Sequence, residues 1–171
     1  AYLLQTHEML FDALTQAFRV LGGVPRRGIF DNMKTAVDRI GAGKARQVNA
    51  RFSAMASHYL FEPEFCNPAS GWEKGQIEKN VQDARRRLWQ PMPRFADLAA
   101  LNAWLEERCI AQWRDIQHGI LPGTIAEAHA DEVLSLMPLG RPFDGFVEHS
   151  KRVSPTCLVH FERNRYSVPA S

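Results

Sequence analysis

A run of three residues, Gly28-Ile29-Phe30, constrains the fold of this chain more than any other feature. It reads as a buried strand that ends on an acid, Asp31. Ahead of it, Thr6 is placed to cap a helix over residues 7–21, where Met9 or Leu10, Leu14, Ala17 or Phe18, and Leu21 recur with a helical period. Gly22 and Gly23 close that helix, and Pro25 biases Val24 away from the α region. An amphipathic helix feeding a buried strand places the chain in the α/β class.

The rest of the chain continues that pattern. A weaker strand is predicted over residues 36–40, followed by a flexible turn at Gly41-Ala42-Gly43-Lys44. Residues 48–60 suggest a helix with Phe52, Met55 or Ala56, and Tyr59 or Leu60 on one side, and residues 61–66 a strand. After the turn signal of residues 67–71, a helix is expected over 73–89 and another over 94–113, set apart by Pro91 and Pro93. Thr124-Ile125-Ala126-Glu127 forms a capping box opening a helix to about Met137. From Pro138 the period becomes strand-like, with alternation over 156–161 and 166–168 and a hairpin turn at 162–165. The simplest partition is an α/β body over residues 1–137, then a linker and the start of a small β module over 138–171.

With 171 residues and 45% hydrophobic content, the chain can bury one ordinary core. A formal net charge of +2 neither demands nor excludes nucleic acid, so a local basic stripe has to make that case. Basic residues do cluster at Arg26-Arg27, at Arg85-Arg86-Arg87, and at Lys151, Arg152, Arg163 and Arg165. Cys66, Cys109 and Cys157 are odd in number and far apart, which points to a reducing cytoplasmic setting and away from a disulfide framework or paired-Cys zinc site. The six histidines are scattered without metal spacing. No membrane span or signal peptide is read. The start at AYLLQTHEML lacks an initiator Met, and SVPAS stops after a strand, so the chain reads as the excised core of a longer protein.

Two carboxylates stand out for chemistry. Asp31 closes the short apolar run, and Glu78 lies in the first turns of a charged helix within GWEKGQIEKNV. Phosphoryl transfer on a phosphodiester needs charge stabilisation at the attacking and leaving oxygens, which two divalent metals held by carboxylates from rigid elements can provide. Mg²⁺ takes hard oxygen ligands and keeps several waters, so two or three carboxylates suffice, with Mn²⁺ as a substitute. Each acid has a plainer reading: Asp31 as a turn or cap residue, Glu78 as a solvated helix residue.

The ordered segments GGVPRRGIFDNMKTAV, VNARFSAMASHY and FCNPASGWEKGQIEKNVQDARRR together resemble the catalytic core of bacterial insertion-sequence transposases of the IstA type, in the DDE integrase/transposase superfamily. The resemblance spans most of residues 5–137, and RNRYSVPAS is similar to the start of the small β domain that follows such cores. It implies a ribonuclease-H-like core lacking its first strands, with Asp31 as the second catalytic Asp and Glu78 as the catalytic Glu, both metal ligands. The family's first Asp belongs on a strand upstream of residue 6. Asp12 cannot replace it because it falls within the first helix.

Several neighbours are candidate DNA contacts, each with a structural alternative. Asn32 could orient Asp31 or meet a phosphate, or it could cap a turn. Lys34 could contact the backbone or be a solvated lysine. Lys74, Gln82 and Arg86 share a broad helix face with Glu78, where Lys74 could hold a phosphate or only pair with Glu78. Arg85, Arg86 and Arg87 spread over more than half the helix circumference, so only one or two can face a ligand. Trp72, expected in the loop ahead of the helix, could stack on a base or simply pack, and Trp89, Trp104 and Trp113 read as core or interdomain contacts. The resemblance further implies DNA ends and target DNA as partners, paired subunits and a helper ATPase. The alternatives are a metal nuclease with the same carboxylates and an inactive DNA-binding or assembly fragment. An incomplete sheet is also expected to expose an edge and apolar surface.

Overall fold

The computed structural model describes residues 1–41, 46–66 and 71–169, with only the backbone described for residues 71–78 and 80. The expected turn at residues 42–45 and most of the turn signal at 67–70 lie outside the described residues. The first helix, α1 (His7–Leu21), begins where Thr6 Oγ1 accepts the Met9 N–H. It ends at Gly22, whose φ of 77° is left-handed and whose N–H bonds back to the Arg19 carbonyl. Gly23 is demanded by its surroundings, since a Cβ there would lie 2.7 Å from Leu136 Cβ and 2.8 Å from the Met137 carbonyl.

The chain then forms β1 (Arg27–Phe30), the hairpin of β2 (Val37–Ile40) and β3 (Arg46–Val48), α2 (Ala50–Tyr59) and β4 (Glu62–Phe65). β1 and β4 pair in parallel, from Arg27 opposite Glu62 to Phe30 opposite Phe65. A parallel pair needs a crossover, and the β2–β3 hairpin with α2 supplies it. Asn49 caps α2 by accepting the Arg51 and Phe52 N–H groups. Phe52 and Met55 on α2 are fully buried. Phe52 meets Phe30 edge-on at 5.0 Å between centroids, and Phe18 of α1 meets Tyr59 at 5.1 Å. This aromatic cluster, with Phe11, Val24, Val37 and Phe61, is the core. Burying a side chain such as Phe52 contributes about 1.5–3 kcal/mol.

Among the described residues, only one face of the parallel pair is packed. Phe30 and Phe65 point into the core, whereas Ile29 is 61% exposed on the opposite face, beside an Arg27–Glu64 ion pair at 3.3 Å. The expected buried strand is therefore half-buried, because no described residue covers that face. Parallel sheets are normally covered on both sides.

The second half is helical. It comprises α3 (Gly71–Leu88), α4 (Leu98–Asp115), α5 (Ile125–Glu132) and a 3₁₀ turn at Val133–Ser135. α4 starts later than residue 94 because Asp97 Oδ1 takes the Ala100 N–H, which leaves Phe95 outside the helix and against Trp104 at 5.2 Å. The Thr124–Glu127 capping box forms as expected. α5 stops short of Met137 because Met137 exchanges both backbone hydrogen bonds with Val24, at 2.9 Å each. Beyond it, the chain around residues 141–147 crosses α1 and α2. His58 Nε2 lies 2.7 Å from the Arg141 carbonyl, the Phe143 N–H donates to the Tyr59 hydroxyl, and Arg51 donates to the Gly145 carbonyl. The last elements are the antiparallel pair β5 (Leu158–Phe161) and β6 (Asn164–Ser167). They are joined by Glu162 and Arg163, both at positive φ, as a two-residue hairpin turn requires.

Candidate functional site

Asp31 directly follows β1, at the carboxyl end of the parallel pair, and is exposed. Its Oδ1 accepts the N–H of Asn32 at 2.8 Å, and its backbone carbonyl accepts the Met33 N–H at 2.8 Å. The chain thus reverses at once, and Met33 in turn accepts the N–H groups of Ala36 and Val37, both buried. Burial of those two residues anchors the turn, so the carboxylate stands on a fixed corner of the core. The carboxyl edge of parallel strands is where open α/β sheets present ligand-binding groups.

Asn32 is committed to structure. Its Nδ2 donates to the Cys66 carbonyl just after β4 at 2.9 Å, and its Oδ1 accepts from Arg46 Nε at 2.5 Å. Arg46 Nη2 also reaches the Cys66 carbonyl at 3.2 Å, while the Cys66 N–H donates to Phe30. The ends of β1, β3 and β4 meet through one asparagine and one arginine. Asn32 thus holds the turn beside Asp31. Arg46 was missed from the sequence; its partners lie 14 and 20 residues away and one of them is a backbone carbonyl.

Lys34 is exposed at the rim of a groove of about 570 Å³ whose walls include Tyr2, Leu4, Met9, Leu10 and Met33. Tyr2 donates to Asp12 Oδ2 at 2.7 Å; partial burial, then that carboxylate, push the phenol up to about 12. Glu78, Trp72 and Lys74 lie on α3, but their side chains are outside the described residues. Trp72 is the second residue of that helix rather than part of a preceding loop. Gln82, Arg85, Arg86 and Arg87 are exposed on the same helix, and Leu88 is buried. Successive arginines at 100° intervals fan around its last turns, as expected from their spacing. Trp89 packs near Trp104, and Trp113 meets His129 at a tilt of 51° with 5.0 Å between centroids.

Asp31 suits a hard divalent cation: an exposed carboxylate on a rigid corner, with an oxygen already oriented by a backbone N–H. Among the described residues, no three of His, Cys, Asp and Glu come together as a metal cluster, so the described side chains contribute one ligand of such a set. Among the same residues, no helix is long and apolar enough to cross a membrane.

No family model matches the chain. Over all 171 residues it is 71% identical to a transposase of Aminobacter aminovorans, and 65% identical to the transposase for insertion sequences IS1326/IS1353 of Pseudomonas aeruginosa. It is also 30% identical, over 168 residues, to the transposase for insertion sequence element IS21 of Pseudomonas aeruginosa, which covers 96% of this chain and 42% of that relative. The chain spans about a third of the length of the first two relatives, at 34% of each.

Proposed function

We propose that this chain is the central part of a DNA transposase of the IstA type, with the DDE chemistry of the integrase-like superfamily on a ribonuclease-H-like core. The observation that carries the reading is the unbroken similarity of all 171 residues to transposases, at 65–71% identity, with Asp31 falling at the carboxyl end of β1. Asp31 and Glu78 are two carboxylates of the metal set, and the third is the Asp that the resemblance places on an upstream strand. Mg²⁺ or Mn²⁺ bound there supplies charge stabilisation at the attacking and leaving oxygens of the phosphodiester.

The chain's own residues hold and orient. Asp31 presents hard oxygen donors from a corner that the core fixes, so the ligand loses little freedom on binding. Lys34 and Lys74 offer point charges for phosphates, and Gln82, Arg85 and Arg86 offer further polar and cationic groups along α3. Trp72 offers a flat face for an unpaired base. Water cuts at the element ends, and the exposed 3′-hydroxyl then attacks target DNA. Paired subunits bridge the two ends, a helper ATPase selects the target, and the protein works in the cytoplasm. The 171 residues by themselves are expected not to join DNA, since they supply two carboxylates where the chemistry asks for three.

The test is a joining assay on full-length protein. Asp31→Asn and Glu78→Gln are each expected to lower Mg²⁺-dependent joining at least about a hundredfold, the scale of several kcal/mol of lost charge stabilisation. DNA binding should survive. Joining at the parent rate in Asp31→Asn would remove Asp31 from the metal site.

A further inference from the structure

We infer that Arg46 is a positioning residue for the Asp31 carboxylate, acting through Asn32. The inference rests on the reading of Asp31 as a metal ligand and adds a residue that the resemblance does not assign. Arg46 opens β3, a strand that among the described residues pairs with β2 and lies outside the β1–β4 sheet. Its half-buried guanidinium nevertheless crosses to the end of that sheet, with Nε on Asn32 Oδ1 at 2.5 Å and Nη2 on the Cys66 carbonyl at 3.2 Å.

Asn32 completes the triangle by donating its own Nδ2 to the same carbonyl at 2.9 Å. Its backbone N–H is the group that donates to Asp31 Oδ1. Holding the Asn32 peptide therefore helps to set where that oxygen points. Two donors in a planar fork suit two acceptors just beyond the ends of different strands, a geometry that the single ammonium of a lysine cannot reproduce. Loss of Arg46 leaves Asn32 tied to β4 by one bond, so the corner loosens without the core being opened. Outer partners that orient metal ligands typically change metal affinity 10- to 100-fold when removed.

The experiment uses full-length protein carrying Arg46→Ala, Arg46→Gln, Arg46→Lys, Asn32→Ala, Asp31→Asn, and the Arg46→Ala/Asn32→Ala pair. Direct Mn²⁺ titration, read by electron paramagnetic resonance, gives metal affinity independently of activity. Joining rates against Mg²⁺ concentration and DNA binding against salt complete the set. Arg46→Ala is expected to weaken Mn²⁺ binding and raise the Mg²⁺ requirement about 10- to 100-fold, with DNA affinity and salt dependence unchanged. Arg46→Lys should not rescue it, and the change should vanish in the Asn32→Ala background.

Arg46→Gln keeps a donor and provides the same comparison if the alanine variant does not fold. An unchanged metal requirement with weakened, less salt-dependent DNA binding would make Arg46 a phosphate contact and overturn the inference, as would full additivity with Asn32→Ala. Asp31→Asn separates the two levels. If it binds Mn²⁺ and joins DNA normally, the metal-ligand reading fails. If it loses both while Arg46→Ala and Arg46→Gln are silent, only the positioning role fails.

Discussion

The half of the molecule that carries Asp31 and the half built from α4 and α5 are held together by different means. Around β1, β4, α1 and α2, ten of the described hydrophobic residues are buried in one cluster. In α4 and α5 none is buried. Those helices rest on half-buried rings, a tilted Trp113–His129 contact and a few polar ties, such as Arg19 to Glu106 at 2.5 Å and His129 to the Leu21 carbonyl at 3.1 Å. The difference teaches that the candidate ligand stands on the part of the chain that resists deformation. The helical half is attached through contacts that solvent can replace, and exposed ion pairs of that kind contribute little.

The largest expected effect tests that contrast directly. Phe52→Ala should cost about 3–5 kcal/mol in denaturant unfolding, and Trp104→Ala less than half as much. Equal losses would erase the distinction between the halves. Next, Gly23→Ala should cost about 1–3 kcal/mol by forcing a methyl against the Met137 carbonyl, whereas Gly140→Ala, with nothing within 4 Å, should stay within about 0.5 kcal/mol.

A smaller change sharpens the boundary. Thr124→Ala should remove about 1 kcal/mol of capping and speed amide exchange in α5 alone. Faster exchange at Phe52 or Met55 would mean that the halves open as one unit.

The smallest effect concerns Glu8, at the rim of the packed half. Its own backbone N–H at the start of α1, then Arg51 and the Thr6 hydroxyl, lower its carboxyl to about 2 from 4.5. The folded value lies below the unfolded one, so the contribution is present above about 4.5 and is lost as pH falls toward 2. A carbon-detected titration of Glu8 in solution should show that low midpoint. A midpoint near 4.5 would mean that neither the backbone N–H contact at the start of α1 nor the Arg51 contact is kept.

What the sequence made legible was local. Thr6 with Gly22 bounded α1, Thr124 with Glu127 opened α5, and Gly28-Ile29-Phe30 marked β1, because each signal is carried by neighbouring residues. The three-residue β3 gave no periodicity to read, and it is defined only by pairing with β2. Leu60 adopts a left-handed φ of 61° that nothing in a leucine advertises. Residues 141–147 looked like linker because their ties run through backbone groups to Tyr59, His58 and Arg51. In the candidate site, Asp31 was readable from its place after an apolar run. The Asn32–Arg46–Cys66 junction was not, since it joins three strands through a carbonyl that has no sequence signature.

The Val24–Met137 bridge also carries a schedule. Val24 leaves the ribosome with its N–H and carbonyl unmatched, and the residue that satisfies both follows about 110 positions later. At ordinary rates of synthesis that is a delay of roughly 5 to 20 seconds. Through that interval α1 can close its own carboxyl end at Gly22 and Gly23, but the fully hidden Val24 of the finished protein is open to its surroundings. A ribosome stalled before Met137 would hold out a half-closed core, a natural target for chaperone or protease.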